Sequence, residues 1–241
     1  MKPEWRVALY KMYANPAVQI PLQMAMHLVG RDRSRVKNYL QTQSVHRLQI
    51  GAGKNLRAGW LNTNWFPIGP RLTEAVFLDA TQRFPLPDAS FDVVYSEHVF
   101  EHLPPGGGMT MLCEILRVLK PNGMLRLSTP KLEFLTALLG EDPTAVEQDY
   151  IAWNSKTFLQ PGWPHTRAAV VNNYVRDWGH QFIYDRETLR GQLAAAGFTD
   201  ITECALGEST NPELQGLENA DRMPTGFLAL ETVTFEARKQ A

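Results

Sequence analysis

From Val45 onward, short apolar runs alternate with helix-like segments, and this alternation is the pattern of a parallel sheet with crossover helices. The runs Arg47 to Ile50, Trp60 to Asn64, Ala75 to Leu78, Phe91 to Ser96 and Met124 to Ser128 read as its strands. Between the last two, Met111, Leu112, Ile115, Leu116 and Leu119 fall on one face of a helix over Met109 to Leu119, with Pro121, Asn122 and Gly123 as its stop. The predicted fold class is therefore α/β, a Rossmann-like open sheet.

The flanks have a different texture. Residues 1–44 mix helical apolar spacing with the breakers Pro16 and Pro21 and read as two or three short helices, an N-terminal helical cap segment. Its basic side chains, Lys2, Arg6, Lys11, Arg31, Arg33, Arg35 and Lys37, read as a solvated face. The main domain spans 45–241, interrupted by an insertion at 131–181 of irregular pattern, rich in aromatics and amides. Such an insertion in an α/β enzyme covers the substrate as a lid. Asp185 then N-caps a helix that ends at Gly197. Strands follow at Asp200 to Ala205 and Phe227 to Ala237, with a polar loop from Ser209 to Thr225 between them.

Charge and composition narrow the function classes. With 24 basic and 25 acidic side chains there is no global field to gather a polyanion, so nucleic acid is not an expected partner. No apolar run is long enough to cross a bilayer, and the start of the chain lacks the apolar core of a secretory signal. Cys113 and Cys204 make neither a disulfide framework nor a metal framework by themselves. A cytoplasmic protein is expected, with its oligomeric state open and a homodimer included.

Chemistry concentrates at the predicted strand ends. Gly51, Ala52 and Gly53 directly follow the first strand, where glycines permit a tight turn and close backbone approach to a nucleoside. Asn64, Asp79 and Ser96 end the next three strands and line the same crevice. An ionised Asp79 can accept from an exocyclic adenine amine; its competing reading is the start of a turn into Thr81 and Gln82. The third glycine of the dinucleotide fingerprint is missing, which disfavours a nicotinamide-dependent oxidoreductase.

These residues, in "RLQIGAGKN" (47–55), "FPLPDASFDVVYSEHVFEHLP" (84–104), "EILRVLKPNGMLRLSTP" (114–130), "GHQFIYDRETLRGQLAAAGF" (179–198) and "FLALETVTFEARK" (227–239), resemble the class I S-adenosylmethionine-dependent methyltransferases. The resemblance implies a seven-stranded sheet with its last strand antiparallel and S-adenosyl-L-methionine as cofactor. It implies that Gly51, Ala52 and Gly53 border the methionine part, Asn64 the ribose, and Asp79 and Ala80 the adenine. Ser96 would start the substrate side. Family members usually carry an acidic residue where this chain has Asn64, and a neutral amide lacks the charge-assisted bond to a ribose hydroxyl.

Methyl transfer from a sulfonium is an in-line displacement that asks the enzyme chiefly to position reactants, with a base where the acceptor must lose a proton. His98, His180 and Tyr184 are the candidates for that role. His98, Glu101 and His102 also share a helical face at the spacing of a zinc-peptidase string. The strand-loop context before them is wrong for a zinc helix, and no metal is assigned there. The expected activity is methyl transfer to a small-molecule acceptor, a sugar or secondary-metabolite intermediate. The rival, motivated by Asn64, is a protein of the same fold that does not methylate.

Overall fold

The computed structural model describes residues 30–65 and 75–241. Its centre is a seven-stranded sheet in the order β3-β2-β1-β4-β5-β7-β6. The strands are β1 (Arg47–Ile50), β2 (Leu61–Asn64), β3 (Val76–Phe77), β4 (Phe91–Glu97), β5 (Leu119–Pro130), β6 (Phe198–Cys204) and β7 (Thr232–Lys239). The first five run parallel, while β7 lies antiparallel between β5 and β6. Strand order reverses between β1 and β4, so the crevice above their C-terminal ends is the topological switch point.

Helix α1 (Arg31–Thr42) precedes the sheet, α2 (Pro105–Val118) crosses from β4 to β5, and α6 (Arg186–Ala196) leads into β6. The main core lies between the sheet and these helices, with Leu48, Val94, Phe100, Leu112, Ile115, Leu125, Tyr184 and Leu193 sealed within it. Helix α6 forms as its ends dictate. The Asp185 side chain accepts from the Thr188 amide at 2.6 Å, and Gly197 closes the last turn at φ 102°.

Several sequence expectations change. Of the N-terminal arm, the described part is α1; the earlier apolar positions and Pro16 and Pro21 lie outside the described residues. Residues 131–181 are mostly helical, forming α3 (Leu132–Leu138), α4 (Ala145–Phe158) and α5 (Arg167–Arg176). Phe227–Glu231, read as the start of the last strand, is a short helix, α7. Together these four helices enclose a second apolar cluster of Phe134, Leu135, Leu138, Tyr150, Val170, Tyr174 and Phe227.

The polar loop before α7 is also ordered by contacts. Leu214 and Leu217 pack on Val93 and Tyr95, on the sheet face opposite α2. Arg126 of β5 is completely buried there. It donates to Glu218 and Glu236, both at 2.6 Å, and to the Glu208 carbonyl at 2.8 Å. Five donors in a fixed fork let one guanidinium hold these partners and the Ala205 carbonyl, at 3.3 Å, as well.

Candidate active site

The glycine loop leaves β1 at the switch point. Gly51 has φ 70°, and a Cβ there would come 2.2 Å from Val99 Cγ2, so only glycine admits the chain returning from β4. Gly53 is also left-handed, at φ 56°, but a Cβ there would meet open space. The buried Ala52 donates its amide to the Thr63 carbonyl at 2.9 Å, which fixes the loop to β2.

Asn64, expected at the ribose, is bonded to the glycine loop. Its Oδ1 accepts from the Gly53 amide at 2.6 Å and its Nδ2 donates to the Gly53 carbonyl at 3.1 Å. Both ends of the amide thus bond the loop. Asp79 uses Oδ1 to accept from the Thr81 amide and hydroxyl, at 2.9 and 2.7 Å, and so does start the turn. Its Oδ2 makes no hydrogen bond among the described residues. The neighbouring Ala80 turns its methyl into the main core. Ser96 is fully buried at the end of β4, and its Oγ has no partner. An open glycine loop, a spare carboxylate oxygen and an orphaned hydroxyl along one crevice fit a nucleoside cofactor with donors and acceptors of its own.

His98 is the first residue beyond β4 and has φ 51°, uncommon for a residue with a side chain. Three contacts hold it. Its amide donates to the Ser128 carbonyl at 2.8 Å, and its Nε2 lies 2.9 Å from Thr232 Oγ1. Its Nδ1 lies 3.3 Å from Glu101 Oε1, close but off-line for a hydrogen bond, and its ring is mostly enclosed. Backbone strain maintained by surrounding contacts is a feature of functional sites.

Glu101 sits in a single 3-10 turn, Phe100–His102, and is fully buried. Burial alone would raise its pKa, but contact with His98 and the imidazole of His102 overcome this and bring it to about 2. Thr129 donates to its Oε2 at 3.1 Å, and Oε1 has no hydrogen bond. His180 approaches from the chain after α5, its Nδ1 2.6 Å from the Tyr174 carbonyl.

Tyr184 is not where the sequence reading puts it. It is sealed in the main core against Phe100, ring centroids 4.8 Å apart, and a Cβ on Gly108 of α2 would come 3.1 Å from its hydroxyl. It packs the sheet against α2 and does not reach over the crevice. Sequence reasoning missed Glu231, which is buried at the end of α7 and accepts from the Tyr150 hydroxyl at 2.8 Å. The Arg222 guanidinium lies 3.7 Å from it. No periodic signal marks a lone carboxylate inside an apolar run.

Residues 48–127 match the family model described as a methyltransferase domain. Among solved structures, the chain is similar to a SAM dependent methyltransferase from Archaeoglobus fulgidus, at 17% identity and TM-score 0.48, covering 89% of this chain and 94% of that one. It is also similar to Haemonchus contortus phosphoethanolamine N-methyltransferase 2 in complex with S-adenosyl-L-methionine, at 15% identity and TM-score 0.45, covering 88% and 53%. At such scores the assignment rests on the matched domain and the strand order. Together they show a methyltransferase domain over 48–127 set in the seven-stranded sheet of the class I methyltransferase fold. Among the described residues no helix is long and apolar enough to cross a membrane.

Proposed function

We propose that the acceptor is a small metabolite bearing a nucleophilic oxygen, nitrogen or carbon, a sugar or secondary-metabolite intermediate, bound between the end of β4 and a lid formed by residues 131–181. The observation that carries this reading is His98, held in a left-handed conformation between Glu101 and Thr232 where the crevice meets the helical cap. S-adenosylmethionine supplies an electrophilic methyl group on a sulfonium. Gly51, Ala52 and Gly53 would give it a close backbone wall, Asp79 Oδ2 would accept from the adenine amine, the Ala80 backbone would border the base, and Ser96 Oγ would find a partner on the donor. Asn64 serves this site by holding Gly53.

His98 takes the acceptor's proton, with Glu101 and Thr232 positioning the ring. The aromatic cap excludes water from the crevice, which strengthens this pairing. The acceptor is not a nucleic acid, in keeping with the balanced charge of the chain, and the enzyme works in the cytoplasm. The test measures S-adenosylhomocysteine release with pooled sugars, amines and phenols. Turnover that His98→Ala abolishes while S-adenosylhomocysteine still binds supports the reading. Equal turnover by the variant removes His98 from the chemistry, and no turnover with any pool favours a non-methylating role.

A further inference from the structure

Glu101, His102 and His180 bring one carboxylate oxygen and two imidazole nitrogens to within 4.8 Å of one another. The string His98, Glu101, His102 alone does not make this group; the structure adds His180 from beyond the cap. We propose that these three side chains bind a divalent transition-metal ion at the seam between the sheet and the cap.

Three features support it. Glu101 Oε1 is buried without a hydrogen bond, with His98 Nδ1 3.3 Å away and His102 Nε2 3.8 Å away, so an acceptor is aimed into the group. The His180 Nδ1 proton goes to the Tyr174 carbonyl at 2.6 Å, which leaves Nε2 with its lone pair free, and Thr129 steadies the other oxygen of Glu101. Outer bonds of this kind fix the tautomer and orientation of metal ligands. The two chain segments are themselves tied together. The amides of Gln181 and Phe182 donate to the Glu101 carbonyl at 2.8 and 3.2 Å, and the Gln181 side chain donates to the His102 carbonyl at 3.1 Å.

The donor set selects the ion. Two imidazoles and one carboxylate suit zinc and its first-row neighbours, whereas magnesium and calcium prefer oxygen alone. Ligand atoms around zinc stand about 3.3 Å apart at the usual bond lengths of about 2.0 to 2.1 Å, so modest side-chain movement closes the group. His102 is partly exposed, giving the ion a path from solvent.

The full chain, freed of metal with a chelator, is titrated with zinc by calorimetry and with cobalt by visible absorption, without S-adenosylmethionine. His102→Gln, His180→Gln and Glu101→Gln are compared with His165→Gln, an exposed histidine elsewhere, and circular dichroism checks each fold. The expected result is one ion per chain, tetrahedral cobalt absorption, and affinity lowered at least tenfold by His102→Gln and by His180→Gln but not by His165→Gln. If Glu101→Gln fails to fold, the two histidine variants carry the test. No binding, or binding that neither variant weakens, overturns the proposal. Methyl-donor binding is measured separately, so this failure leaves the assigned activity standing.

Discussion

The Asn64 carboxamide grips Gly53 from both sides, accepting from its amide at 2.6 Å and donating to its carbonyl at 3.1 Å. A carboxylate of the same length keeps the first bond and sets a second oxygen against the carbonyl. An amide suits this arrangement better than an acid would. Asn64→Ala should weaken S-adenosylhomocysteine binding about tenfold, since each lost hydrogen bond is worth about 0.5–1.5 kcal/mol. Calorimetry that finds no change would show the loop is held by other contacts.

Gly51 makes the sharper prediction for stability. Its missing Cβ would stand 2.2 Å from Val99 Cγ2 in a left-handed residue. Gly51→Ala should cost about 1–3 kcal/mol by urea denaturation, as overpacking does. Val99→Ala in the same chain should recover part of this, because it removes the clashing methyl and leaves the backbone strain.

His98→Asn tolerates the left-handed backbone and removes the imidazole. Turnover should fall by about 10²–10⁴, the usual worth of a positioned base, with binding of S-adenosylhomocysteine unchanged. A parallel loss of cofactor affinity would mean that His98 shapes the donor site instead.

Arg126 and Glu218 give a pH signature. Burial pushes the Glu218 pKa up, but the guanidinium, the Ser128 hydroxyl and the Gly207 amide outweigh it and hold it below the ordinary 4.5. The resulting stability is complete above 4.5 and drains away as pH falls through the lowered native value. Glu218→Gln should cost about 3 kcal/mol at neutral pH, as breaking a buried ion pair does. The gap between variant and native protein should narrow in acid. A gap that stays constant down to acid denaturation would assign the loss to packing.

The strands were readable because each is a short apolar run closed by turn residues, and β1, β2 and β4 lie within a residue of where those runs fall, whereas β5 begins earlier, at Leu119, and runs through the Pro121, Asn122 and Gly123 read as a helix stop. The start of α2 was not. Gly106, Gly107 and Gly108 are poor helix formers, and the true signal was Pro105 at the first turn. Gly108 is there for space, with Phe100 only 3.0 Å from where its Cβ would be. Helix α4 carried a legible mark that aromatic density obscured, the capping box of Thr144 and Glu147.

At the site, the glycine loop and the ends of β2, β3 and β4 could be located from spacing alone, since strand ends in such a sheet must face one crevice. What those side chains bond could not. Asn64 turning to Gly53, Tyr184 turning into the core and His180 meeting Glu101 all depend on contacts between distant segments. The loop bearing Glu218 read as polar because its anchor, Arg126, sits inside a strand whose neighbours are apolar.

The aromatic cluster over the crevice draws its members from α3, α4, α5 and α7 and none from the sheet. A roof with its own ballast keeps its shape when it shifts, and its inner walls can be redrawn without disturbing the seat of the methyl donor. On the proposed reading, retooling such an enzyme for a new clientele is carpentry confined to the roof.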